Sequence, residues 1–226
     1  MFAPDAERLW SEYLSAEEAN YRDEALRALN RFITACLATP EADWKLWAKQ
    51  TAAQLVERNL ADTIRFPLYA RLLLPALAEG VLRREPNCAR LLSHFDQHLL
   101  TPITSHALPE DLRTSVGLLY EALRIDPQDD AARRSYLSKR ARYFDHTLHE
   151  LPAGVLYAMD GANVEQCDEL IAMLAEFVEH ANIAGQTDYY RVLIDDCRKH
   201  YSAYREYLVA GRPDESYDAY LESHGL

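Results

Sequence analysis

Glycine is scarce in this chain, at seven of 226 residues. The Asn-Gly and Asp-Gly pairs that close hairpins between alternating runs are missing apart from Asp160-Gly161, which argues against a sheet. Long apolar runs are missing as well. No stretch approaches the ~18 residues of a membrane span, and Asp5, Glu7, Arg8 and Glu12 interrupt any secretory core behind Met1. Cys36, Cys88, Cys167 and Cys197 stand far apart with no Cys-x-x-Cys, so neither a zinc knuckle nor a redox pair is indicated. Each lies in or beside an apolar helical stripe, as buried thiols of a reducing compartment do. Basic residues are outnumbered, 24 Lys plus Arg against 36 Asp plus Glu, for a formal charge of −12. Phosphate binding relies on clustered cations, so nucleic acid is disfavoured as a partner and a basic protein is favoured. Gly-x-Ser-x-Gly, P-loop and dinucleotide glycine motifs are all lacking, and nothing calls for a cofactor. The expectation is a cytoplasmic protein without a membrane segment.

What is present is helical periodicity. The strongest element is a helix expected to start at Asp126, with Pro127 in its first turn and Pro152 stopping it. Leu137, Ala141, Phe144, Leu148 and Leu151 form its stripe. Before it, a short helix holds Leu9, Trp10, Tyr13 and Leu14, and a second over 17–38 turns Leu26, Leu29, Ile33 and Cys36 to one side. Thr39 is expected to cap a third helix begun by Pro40; a fourth, over about 66–84, should kink at Pro75. Pro86 opens a fifth with Cys88, Leu91, Phe95 and Leu99 inward, closed by a loop over 101–108. Pro109 opens a sixth with Leu112, Val116, Leu119 and Leu123. After the apolar stretch 152–161, expected as a lid or plug, Asn163 and Gln166 form a candidate capping box. The helix they open carries Val164, Cys167, Leu170, Ile171, Leu174, Phe177 and Val178, and Gly185 ends it. A helix over about 187–209 and a short last one with Tyr217, Tyr220 and Leu221 complete the chain. The fold class read from this is all-α: one domain over 1–226, about nine or ten helices in stacked antiparallel hairpins, helical-repeat-like or a bundle.

The junction YEALRIDPQDDAARRSYL, residues 120–137, resembles the boundary between tetratricopeptide repeats, through Ala122, Leu123, Asp126, Pro127 and Ala131. A half-match, VLRREPNCARLL over 81–92, lacks the Asp, and no 34-residue period is present. The resemblance implies a protein-binding helical scaffold.

Three patterns could carry chemistry. His94 and His98 stand four apart, as two imidazoles sharing a metal would, and His146 and His149 make a second pair; together they define a helical metal-dependent enzyme as the alternative function. The residue after His94 is Phe95, so this is no HExxH. Charge layout is the second pattern. Between Leu151 and Tyr190 there is no Lys or Arg, while Asp160, Glu165, Asp168, Glu169, Glu176, Glu179 and Asp188 supply seven acids. A basic segment precedes it: Arg133, Arg134, Lys139, Arg140 and Arg142, interleaved with Tyr136 and Tyr143. Either the two flanks meet inside the fold, or the acids Glu165, Asp168, Glu169, Glu176 and Glu179 meet a basic partner. The third pattern is tyrosine: Tyr207, Tyr217 and Tyr220 are expected at exposed or rim positions of the same binding surface. The leading expectation is a non-catalytic protein-interaction module, such as an immunity or antitoxin-like protein neutralising a basic toxin domain.

Overall fold

The computed structural model describes residues 4–151, 162–214 and 216–225, so the expected lid or plug over 152–161 lies outside the described residues. The fold is all-α, with no strand among the described residues. The chain gathers into two compact units, Met1–Asp129 and Asp130–Leu226.

The first unit opens with a hairpin of α1 (Pro4–Glu18) and α2 (Arg22–Leu37). The helix expected from Glu17 starts at Arg22 instead, because Asn20 adopts φ 58° and reverses the chain between them. Leu29, Phe32, Ile33 and Cys36 are fully buried, while Leu26 faces outward as Ala25 and Ala28 take the inward row. Trp10, Phe32 and Trp47 pack ring on ring, with centroids 4.9–5.3 Å apart, tying the hairpin to α3 (Glu41–Glu57). Thr39 does not cap α3: its hydroxyl donates to the Cys36 carbonyl, closing α2.

A 3₁₀ turn, Ala61–Thr63, leads to one nearly continuous helix built of α4 (Phe66–Leu68), a π turn (Tyr69–Leu73) and α5 (Leu74–Leu82). The irregularity expected from Pro75 takes the form of this π turn. Widening the preceding turn makes room for the ring and for the donor that proline lacks. Leu72, Leu73, Leu74, Ala76 and Leu77 are all buried here, so this is the central element of the unit.

The helix expected from Pro86 is broken. α6 (Cys88–Leu92) and α7 (Asp96–Leu99) are separated by a turn at 93–95, although Cys88, Leu91, Phe95 and Leu99 all remain buried. The expected loop after them contains α8 (Pro102–Ala107), opened by Pro102. Pro109 heads only a 3₁₀ turn, Glu110–Leu112. The sixth expected helix, α9 (Ser115–Ile125), starts later because the Thr114 hydroxyl accepts from the Gly117 amide.

Asp126 and Pro127 likewise make a turn. The Asp126 carboxylate accepts from the Gln128 amide at 3.0 Å, and α10 (Asp130–Glu150) begins three residues beyond Pro127. The second unit holds α10, α11 (Val164–Ile183), α12 (Arg191–Val209) and α13 (Tyr217–Ser223). α11 and α12 form its main hairpin, α10 packs against both, and α13 folds onto α12. Contact with two neighbours moves the buried face of α10 to Ala132, Tyr136, Leu137, Phe144 and Thr147, leaving Ala141 and Leu148 half-buried. Two polar groups on this face are hydrogen-bonded: the Tyr136 hydroxyl donates to Glu176 at 2.6 Å, and Thr147 bonds Tyr201. All four cysteines are buried and unpaired, and burial pushes Cys36 up to about 12 and the others to about 11.

Candidate interaction face

The acidic stretch folds as α11, and its start is as expected. Asn163 accepts from the Gln166 amide at 2.8 Å while the Gln166 side chain accepts from the Asn163 amide at 2.9 Å. Gly185, at φ 64°, ends the helix. Cys167, Leu170, Leu174, Phe177 and Ala181 form its buried face. Opposite them, Glu165, Asp168, Glu169, Ala172, Glu179 and Ile183 are exposed. From Glu165 to Glu179 this stripe is about 21 Å long at 1.5 Å per residue. α11 carries neither lysine nor arginine to interrupt it.

The five expected acids divide into two groups. Asp168 receives Arg205 of α12 through two hydrogen bonds, at 2.6 and 3.3 Å, which hold its carboxyl below the usual range. Glu176 accepts from Tyr136 of α10 and lies 4.0 Å from His180. Burial lowers the His180 pKa, so the imidazole is neutral and adds little charge beside Glu176. Glu165, Glu169 and Glu179 take no hydrogen bond or ion pair among the described residues, and they are the unpaired outward carboxylates of α11. Asp168 and Glu176 are therefore engaged inside the unit, though by Arg205 and Tyr136 rather than by a cation of the basic segment 133–142, while Glu165, Glu169 and Glu179 face solvent.

The tyrosines are a correction. Tyr207, Tyr217 and Tyr220, expected at the rim, are 6%, 3% and 5% exposed. α13 folds onto α12 through them: Tyr207 lies 5.9 Å from the Tyr217 ring and 5.3 Å from the Tyr220 ring, and Tyr217 donates to the His200 carbonyl at 3.2 Å. Exposed aromatic surface falls instead at the α11–α12 turn, where Tyr189 is 81% exposed and Ile183 and Val192 also face solvent.

The first histidine pair loses its helical spacing. His94 sits in the turn at 93–95, so no helix carries it to one side with His98. His98 is 8% exposed, with its ring 4.7 Å from Tyr69 and 5.6 Å from Phe66. Burial lowers its pKa, and its Nε2 has no hydrogen-bond partner. His146 and His149 are exposed on α10. Among the described residues no group of three or more His, Cys, Asp or Glu is placed to hold a metal.

One feature of α11 was legible but missed. Val164, Ile171 and Val178 recur every seven residues, beside rather than within the fully buried row, and all three are half-buried. An apolar stripe wider than one contact requires was the available signal. Ile171 and Val178, with Leu174, Ala175, Arg198 and Ser202, line a cleft of about 160 Å³ between α11 and α12. A wider groove of about 1000 Å³ follows α1 and α2 in the first unit, but its rim is internally neutralised, Glu12 pairing with both Arg8 and Arg31. Comparison with protein-family models, curated proteins and solved structures gives no match for this chain.

Proposed function

We propose that this chain is a non-catalytic, cytoplasmic protein-interaction module that binds a basic protein along α11. The observation that carries the reading is the row of outward carboxylates, Glu165, Glu169 and Glu179, on a helix without a single cation. Such a row steers a cationic partner and sets its register, and it accelerates encounter more than it deepens affinity. Exposed Tyr189, Ile183 and Val192 at the end of the hairpin supply apolar contact next to the charge. The concrete role we favour is that of an immunity or antitoxin-like protein covering a basic toxin domain. A tetratricopeptide-like scaffold agrees with this, since stacked hairpins present long surfaces to partners. No helix among the described residues is long and apolar enough to cross a membrane.

The test is a paired capture from native lysate, using the wild-type chain and the triple variant Glu165→Gln, Glu169→Gln, Glu179→Gln. The reading expects a basic protein held by the wild type, released at moderate salt and lost from the variant, while both chains melt at nearly the same temperature. Identical retained proteins for the two chains would overturn it.

A further inference from the structure

In the first unit α7 and α8 are fastened to the π turn by a small polar cluster. α7 has four residues and α8 six, too short to hold their shape without tertiary contacts. The Tyr69 hydroxyl, from the π turn, shares a hydrogen bond of 2.8 Å with Thr104 of α8. The hydroxyls of Thr101 and Thr104 in turn donate to the His98 carbonyl at 2.7 and 3.1 Å. The buried His98 ring lies against Tyr69 and Phe66 with one N–H directed to the Ile64 carbonyl, while its Nε2 has no hydrogen-bond partner. A neutral imidazole suits this place, because only one of its nitrogens must donate. An imidazolium brings a second N–H and a charge among apolar rings, where neither is satisfied.

We propose that residues 96–107 form an acid-released flap: uptake of a proton by His98 frees α7 and α8 from the π turn while the rest of the first unit stays folded. The groups around the ring favour release over accommodation. Asp62, on the 3₁₀ turn Ala61–Thr63, attracts the charged ring but is exposed and makes no ion pair with it, so an outward movement of His98 brings the two charges together. Tyr69 stays a phenol, because burial raises its pKa. Asp96 of α7 and His106 of α8 are exposed, α4 has no titratable residue, and Arg65 beside it is held by Glu17. No group of His, Cys, Asp or Glu among the described residues is placed to take the ring as a metal ligand. Since burial weakens proton binding in the closed state, falling pH favours the open one. Release uncovers the Tyr69 ring and frees Leu99, which join the already exposed Phe66 and Leu100 in an apolar surface that the protein keeps covered at neutral pH. The inference is independent of the reading of α11.

Hydrogen–deuterium exchange of the full chain at about pH 7.5 and about pH 5.5, corrected for the pH dependence of intrinsic exchange and read by mass spectrometry, follows the flap separately from α2, α3 and α5. In the wild type, protection over 96–107 should fall by up to about tenfold at the lower pH, the ratio permitted by an open-state pKa of ~6.5, while α2, α3 and α5 keep theirs. His98→Gln retains a side-chain donor for the Ile64 carbonyl and takes up no proton, so its flap should be protected equally at both pH values. Unchanged protection in the wild type, an equal fall in His98→Gln, or a fall shared by the whole first unit would each overturn the proposal. If His98→Gln leaves the flap unprotected at both pH values, Tyr69→Phe decides. That variant loses the hydrogen bond to Thr104 and keeps the histidine, so its flap should start from lower protection and still lose more on acidification; a flap indifferent to pH in Tyr69→Phe would overturn the proposal as well.

Discussion

Replacing Tyr136 by Phe tests how the second unit ties α10 to the helix that carries the acidic ridge. The Tyr136 ring is fully buried, and its hydroxyl donates to Glu176 at 2.6 Å. Burial, then the adjacent carboxylate, raises the phenol pKa, so it remains a donor at every pH of interest. A hydrogen bond to a charged group contributes about 1.5–3 kcal/mol when buried. The Glu176 side chain is 32% exposed, however, and recovers water when the phenol oxygen is removed. Screening of this kind brings the expected loss for Tyr136→Phe to about 1 kcal/mol. Glu176→Ala does the reverse: it strands a buried hydroxyl and should cost about 2 kcal/mol, within the 1–3 range for an unsatisfied group. The double variant should then cost about 2 kcal/mol rather than 3, a coupling of about 1 kcal/mol. Urea unfolding followed by circular dichroism at neutral pH measures all four corners; for a chain of 226 residues each kcal/mol should also move Tm by roughly 2–4 °C. Additive losses, or a Tyr136→Phe chain as stable as the wild type, would refute the view that this bond positions α11.

Three further outcomes follow from single residues. Gly117→Ala should destabilise the first unit, although alanine is the better helix former by ~1 kcal/mol, because its Cβ would stand 1.9 Å from the Asp111 carbonyl oxygen; overpacking costs about 1–3 kcal/mol, and a raised Tm would contradict this. Asn163→Ala should cost about 1 kcal/mol by removing the capping box at the acidic end of α11, read as a Tm lower by roughly 2–4 °C. For His98, burial lowers the folded pKa, so between that value and the ordinary ~6.5 the unfolded chain holds the extra proton and stability falls as pH drops below about 6.5. His180 and His200 are lowered in the same direction and add to the loss, so His98→Gln should reduce the decline between neutral pH and about pH 5 without abolishing it, and an unchanged slope in urea titrations would count against the assignment.

The all-α character was readable because it rests on many concordant local signals: scarce glycine, prolines near helix starts, and apolar residues at steps of three and four. Boundaries were less readable where two capping devices competed. At Thr39, Pro109 and Asp126 a side chain able to cap a helix stands near a proline able to start one. At Pro109 and Asp126 the chain makes a 3₁₀ segment or a turn first and begins the helix later, whereas at Thr39 the helix starts directly after Pro40 but without the expected cap. The break at 93–95 had no glycine or proline to announce it. Phe95 leaves the helical path at φ −100°, ψ 45° while its side chain remains fully buried, so tertiary packing set that backbone.

The candidate face was legible as charge and illegible as contact. Nothing in the composition tells which carboxylate an arginine from another helix will reach, because Asp168 and Arg205 are 37 residues apart. Tyrosine misled for the same reason: a phenol suits an interface and a core equally well, and only the return of α13 onto α12 decides that Tyr207, Tyr217 and Tyr220 belong to the core. Ile171 and Val178 show the converse. They repeat at seven residues beside the fully buried row and are half-buried at the cleft between α11 and α12. Surplus apolar residues beside a helix face free of lysine and arginine are therefore a part of the pattern that packing against α10 and α12 does not fully use.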